Sequence, residues 1–118
     1  MPKKFLRSFK FARAGASHVL LTQRNIWIHL FIGMLILLAA VCLRVKLVEL
    51  AVIVLTVSFV IVIEMINTAI EETVNLVKPE NHPLAALAKN VAAGAVLVAA
   101  FGSVIIGLLI LAPRVFKI

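Results

Sequence analysis

Long apolar runs separated by short polar breaks make up most of this chain, and the breaks define its elements. Residues 26–43, 47–77 and 84–111 are apolar with few interruptions. Each is long enough to cross a hydrocarbon core of about 30 Å as an α-helix. Arg44-Val45-Lys46 forms the first break, a tight polar turn. Lys78-Pro79-Glu80-Asn81-His82-Pro83 forms the second, and Pro83 suits the first turn of a new helix. Pro113 is expected to end the last run, with Arg114 and Lys117 beyond it. Residues 3–24 follow another pattern. Phe5, Phe9, Ala12, Ala16 and Leu20 recur at helical spacing, while Arg7 and Lys10 point away from that stripe. This predicts a basic amphipathic helix on a membrane surface. A charged flank of the first span, with no role of its own, is the alternative. The expected fold is a single all-α membrane domain over residues 1–118, with a surface helix and three transmembrane helices.

Composition sharpens this picture. The chain has 118 residues, 64% of them hydrophobic and 14% charged, with a mean hydropathy of +1.17. An ordinary soluble domain is excluded, because it carries nearly twice that charged share. A membrane chain this short is expected to bury its polar positions by oligomerising. The net charge is +7, yet nucleic-acid binding does not follow. The basic residues sit at the ends of apolar runs rather than along one face. Lys3, Lys4, Arg7, Lys10, Arg13 and Arg24 precede the first span, which places the N-terminus in the cytoplasm. The 78–83 loop is then inside and the C-terminus outside. No cleavable signal peptide is expected. Trp27 suits the membrane interface, and His29, one turn inside the span, reads as a neutral, hydrogen-bonded histidine. Cys42, the lone cysteine, reads as a small buried hydrophobe.

Candidate chemistry concentrates on the second long helix. The chain has no Asp, and its five acids are Glu49, Glu64, Glu71, Glu72 and Glu80. At about 100° per residue, Glu64, Asn67, Glu71 and Asn75 share a narrow stripe. Glu72 points elsewhere, and Thr68 lies at the stripe's edge. A helix over 47–77 would be roughly 45 Å long, so its far end should protrude into the cytoplasm. The stripe then runs from the inner leaflet at Glu64 to water beyond Glu71. Acids inside a membrane usually face protein or a polar cavity and serve a function. Glu64, the deepest, is the candidate general base. Glu71, beside an amide, offers hard oxygen for Mg²⁺. Lys89, near the start of the third span, can balance these acids or hold a polyphosphate. The structural alternative is a buried Glu–Lys pair, with Asn67 and Asn75 tying helices together. Small residues from Ala85 to Gly107 would let the third span pack closely against neighbours.

Three segments carry a resemblance. Thr22-Gln23-Arg24-Asn25-Ile26-Trp27-Ile28-His29, Glu64-Met65-Ile66-Asn67-Thr68-Ala69-Ile70-Glu71, and the run from His82-Pro83-Leu84-Ala85 through Lys89-Asn90 to Gly94-Ala95-Val96-Leu97-Val98 closely resemble the small bacterial membrane lipid kinases. This is the diacylglycerol kinase / undecaprenol kinase family, and the His-Pro-Leu-Ala loop is closer to its undecaprenol kinase branch. The likeness covers nearly the whole chain in order. It implies a homotrimer of three-span subunits in the bacterial cytoplasmic membrane, with sites composite between protomers. It also implies transfer of the ATP γ-phosphoryl group to a lipid hydroxyl, with Mg²⁺. Carried over by matching residues, Glu64 would be the base on the lipid hydroxyl and Asn67 would position substrate or metal-bound phosphate. Glu71 and Gln23 would hold the metal. Lys89, with Asn90 and Asn75, would bind the nucleotide.

Three departures bear on activity. The family usually has an acid where Gln23 stands, and Asp where Asn75 and Asn90 stand. Each change removes a negative charge at nearly constant shape. An amide can still ligate Mg²⁺, but without the charge that offsets the ion's dehydration. A catalytically impaired or dead relative that still binds lipid or nucleotide is therefore the second reading. A small proton-coupled exporter, using an intramembrane Glu, is a more remote third. The residues do not separate diacylglycerol from undecaprenol as the acceptor, and no segment reveals what holds adenine.

Overall fold

The computed structural model describes residues 2–117. They form four helices: α1 (Pro2–Thr22), α2 (Arg24–Cys42), α3 (Leu47–Val77) and α4 (Pro83–Phe116). Among the described residues there is no strand. Helices α2, α3 and α4 are each long and apolar enough to cross a membrane. The α-helix suits that setting because every backbone polar group inside the span is bonded within its own helix. The isolated hydroxyls do the same. Thr56 Oγ1 donates to the Val52 carbonyl at 2.7 Å and Ser103 Oγ to the Ala100 carbonyl at 2.7 Å.

The corner between α1 and α2 falls at Gln23, whose backbone is extended at φ −106° and ψ 110°. Trp27 Nε1 crosses the corner and donates to the Leu20 carbonyl at 2.6 Å. Val19 and Ile26 are buried in the elbow. The rest of α1 stands clear, with Phe5, Phe9 and Phe11 exposed. At its inner end, His18 Nε2 lies 3.9 Å from Glu72 Oε1 and links α1 to α3.

Between α2 and α3 the chain reverses through Arg44, which takes the left-handed conformation at φ 56°. That conformation is unusual for a residue with a Cβ. Arg114 of α4 braces it: Nη1 donates to the Arg44 carbonyl at 3.2 Å, and Nη2 donates to Glu49 Oε1 at 2.7 Å. Glu49 Oε1 also accepts the Lys46 N–H, closing the first turn of α3. This brace bears on an expectation that fails. Pro113 does not end the last helix; α4 runs through it to Phe116. Proline removes one N–H but its fixed φ is helical, so a helix anchored beyond it can continue. Arg114 supplies the anchor, and Lys117 closes the helix in the left-handed region, its N–H donating to the Pro113 carbonyl. At the other end, His82 Nδ1 accepts the Leu84 N–H at 3.1 Å and caps α4 ahead of Pro83.

Packing within the subunit is thin. The radius of gyration is 17.6 Å, against roughly 13.5 Å for a globular chain of this length. The extents of 53 × 43 × 22 Å describe a flat, open layer. The fully apolar core is a line of few side chains, including Ile26, Ala40, Ile53 and Val60. Cys42 is exposed, contrary to its reading as a buried hydrophobe. It is the last residue of α2, at the polar turn.

Candidate functional site

Helix α3 carries its polar residues in a gradient of burial. Glu64 and Thr68 are buried, Asn67 and Glu71 are half-buried, and Asn75 is exposed. Glu64 retains only 4% of its exposure. Its position follows from helix packing. Ile53, Val60, Glu64 and Thr68 form the buried edge of α3, at spacings of seven and four residues that keep one face inward. An acid thus occupies a position that the periodicity reserves for a core residue.

The partner of Glu64 is His29 of α2. Their Nδ1 and Oε1 atoms are 2.9 Å apart. The separation is that of a hydrogen bond, but the N–H direction lies off the line, so Nδ1 is buried without an aligned acceptor. Antiparallel packing creates this meeting. Gly33 of α2 faces Val57 of α3 so closely that a Cβ there would fall 2.6 Å from Val57 Cγ1. One turn from Gly33 is His29, and the opposite displacement along α3 leads from Val57 toward Glu64. Thr68 Oγ1 does not compete for the carboxylate; it donates to the Glu64 backbone carbonyl at 3.1 Å. The expected structural alternative, a buried Glu–Lys pair, is therefore replaced by a Glu–His pair. Among the described residues, no ion pair joins Lys89 to Glu64 or Glu71.

One turn further along, Asn67 Nδ2 donates to Glu71 Oε1 at 3.3 Å. The other end of that amide, Asn67 Oδ1, is buried with no partner. A buried acceptor left unpaired is costly and calls for a missing donor or cation. An amide oxygen and a carboxylate one turn apart are both hard oxygens, the donor type that Mg²⁺ takes. Gln23 sits at the α1–α2 corner, half-buried, and its side chain makes no capping bond. Among the described residues, no cluster of three or more His, Cys, Asp or Glu side chains could hold a metal by itself.

Two cavities flank this stripe. The first, about 390 Å³, lies between α2, α3 and α4 and is lined mainly by apolar residues, including Ile53, Val57, Val60 and Leu108. His29 forms part of its wall. The second, about 560 Å³, has a mixed lining and lies under the loop between α3 and α4. Lys78, Glu80, His82, Lys89 and Asn90 line it. Lys89 and Asn90 thus share a cleft with the loop, while Asn75 is exposed near the end of α3. From its place in the sequence, His29 reads only as a neutral, hydrogen-bonded histidine, with no part in the site. The available signal was its depth: it lies one turn inside the span whose packing partner carries Glu64.

Three long apolar helices enclosing a buried carboxylate, with amides and a lysine toward one end, define a multi-pass membrane protein with a polar site at one edge of its bundle. The chain belongs to the prokaryotic diacylglycerol kinase family, whose model matches residues 10–111. It is 42% identical over 114 residues to a diacylglycerol kinase of Synechocystis sp. and 39% identical over 111 residues to an undecaprenol kinase of Bacillus subtilis. These matches take in 96% and 94% of this chain. They span 65% of the length of the Synechocystis protein and 90% of the Bacillus protein.

Proposed function

We propose that this protein is an ATP-dependent lipid kinase of the bacterial cytoplasmic membrane, transferring a γ-phosphoryl group to the hydroxyl of undecaprenol or diacylglycerol. One observation carries the reading: a carboxylate with 4% exposure, one turn beyond Val60 and 2.9 Å from His29, both in the wall of an apolar cavity, and one turn before the Asn67–Glu71 pair. A lipid alcohol brings its hydroxyl to such a position by burying its chain. The family and the names of both relatives support the same chemistry.

In this mechanism Glu64 takes the proton of the lipid hydroxyl as its oxygen bonds the γ-phosphorus and the bond to ADP breaks. Glu64 then returns the proton to water. Glu71, with the unpaired Oδ1 of Asn67 one turn away and Gln23 from the corner, would hold Mg²⁺. When bound, that ion neutralises charge on the nucleotide phosphates. Lys89 holds phosphate oxygens as a point charge, and Asn90 and Asn75 complete the nucleotide site. Positioning and charge neutralisation are most of what phosphoryl transfer requires.

The missing ion pair between Lys89 and either acid fits a homotrimer in which the site is completed by a neighbouring subunit. Gly94 and Gly102 fit it too, since a Cβ at either would meet nothing in its own subunit. The exposed Phe5, Phe9 and Phe11 of α1, with basic residues between them, suit a helix lying on the cytoplasmic leaflet. The test is transfer of labelled γ-phosphate by purified protein across a panel of lipid alcohols. Turnover is expected for wild type and none above background for Glu64→Ala; equal rates would exclude the mechanism.

A second reading has its own support. With amides at 23, 75 and 90, where the family usually has acids, a metal-bound nucleotide would be held by less negative charge. The kinase would then be attenuated rather than fully active.

A further inference from the structure

His29 lines the apolar cavity and touches the buried carboxylate, and the mechanism above leaves it without a task. The geometry points to His29 as the positioning residue of Glu64: its Nδ1–H holds Oε1, so that the other carboxylate oxygen is presented to the lipid hydroxyl. The inference rests on the kinase reading and deepens it.

Chemistry sets the direction of this contact. A carboxylate that acts as a base is ionised and can only accept, so in that role the nitrogen 2.9 Å from Oε1 carries the proton. Removing a carboxylate from water demands a compensating donor, and among the described residues no Lys or Arg pairs with Glu64. The Thr68 hydroxyl is committed to the backbone. His29 is itself held in place: Ile26, one turn before it, is buried, and Gly33, one turn after it, is pressed against Val57. The ring retains 22% exposure, with Nδ1 on its buried side. The off-line N–H is the state expected before substrate arrives, since catalytic hydrogen bonds are often poorly aligned in the free enzyme and tighten with substrate. During transfer the proton passes from the lipid oxygen to Glu64, and His29 keeps its own.

The experiment compares wild type, His29→Leu, His29→Asn and Glu64→Gln as full chains in mixed micelles, with diacylglycerol and undecaprenol as acceptors. Leucine keeps bulk without a donor, and the Asn amide restores a donor near the Nδ1 position. His29→Leu should lose about 100-fold in kcat, the scale of a misplaced reacting group, with KM for lipid and ATP within about twofold. His29→Asn should recover about tenfold of that loss. Wild-type kcat in His29→Leu, or a loss confined to lipid KM, overturns the inference and makes His29 cavity wall only. If Glu64→Gln is inactive in the same series, the kinase reading survives that result. If Glu64→Gln turns over like wild type, the base assignment falls and the inference falls with it. Should His29→Leu fail to fold, the imidazole ¹⁵N spectrum of wild type decides. An Nδ1 signal that moves in Glu64→Gln supports the pairing, and one that stays overturns it.

Discussion

Glu64 occupies a core position on α3, and its only side-chain partner among the described residues is a histidine. Burying a carboxylate there costs stability that an apolar residue of similar size would not. Glu64→Leu is accordingly expected to fold at least as well as wild type while losing transfer by about 100-fold or more; thermal unfolding and a kinase assay on one preparation check both. Glu71 differs, being half-buried and bonded to Asn67. Glu71→Gln should raise the Mg²⁺ concentration needed for half-maximal rate about tenfold or more, read from a Mg²⁺ titration. Asn90 follows Lys89 on the wall of the loop cleft. If the amides at 23, 75 and 90 weaken a working site, Asn90→Asp should increase kcat/KM for MgATP. An unchanged value would remove the attenuated reading at that position.

At the level of elements, the α2–α3 crossing is the joint that sets the site. Gly33 permits the close approach, and Val57 fills the space that a side chain would take. Val57 is β-branched and stiff in a helix, so it cannot easily withdraw. Gly33→Leu should destabilise the subunit by about 1–3 kcal/mol. It should also depress transfer beyond what the stability loss explains, because His29 is one turn away. Comparing residual rate with folded fraction at several temperatures distinguishes the two effects. The α4 extension past Pro113 belongs to this scale as well, since Arg114 reaches Glu49 and the Arg44 carbonyl only from a helix that continues.

For the whole molecule, the thin core and the lack, among the described residues, of an ion pair between Lys89 and either acid fit the proposed homotrimer. Glu64→Gln and Lys89→Ala subunits, each inactive alone, should regain transfer when reconstituted together. A mixture as inactive as its parents would confine the site to one subunit. The large exposed apolar surface is no contradiction in a bilayer, where lipid covers what water would not.

The order of residues determines much of this protein by local physics. Apolar runs longer than a bilayer is thick become helices, Pro83 and Arg44-Val45-Lys46 mark breaks through backbone constraint, and the spacing 64, 67, 71, 75 places polar groups on one stripe. The stripe's inward direction at Glu64 is also periodic, since it shares a face with Ile53 and Val60. What only the tertiary structure decided depends on pairs far apart in sequence. The partner of Glu64 is His29 rather than Lys89 because Gly33 and Val57 fix the register of two antiparallel helices. Proline at 113 does not stop α4 because an arginine beyond it is anchored 65 residues away, at Glu49. Cys42, inside an apolar run, is exposed at the end of α2, which composition alone did not reveal. Periodicity specifies which face a side chain occupies, but the group opposite is set by register between helices, and register is decided by side-chain shape at the crossing.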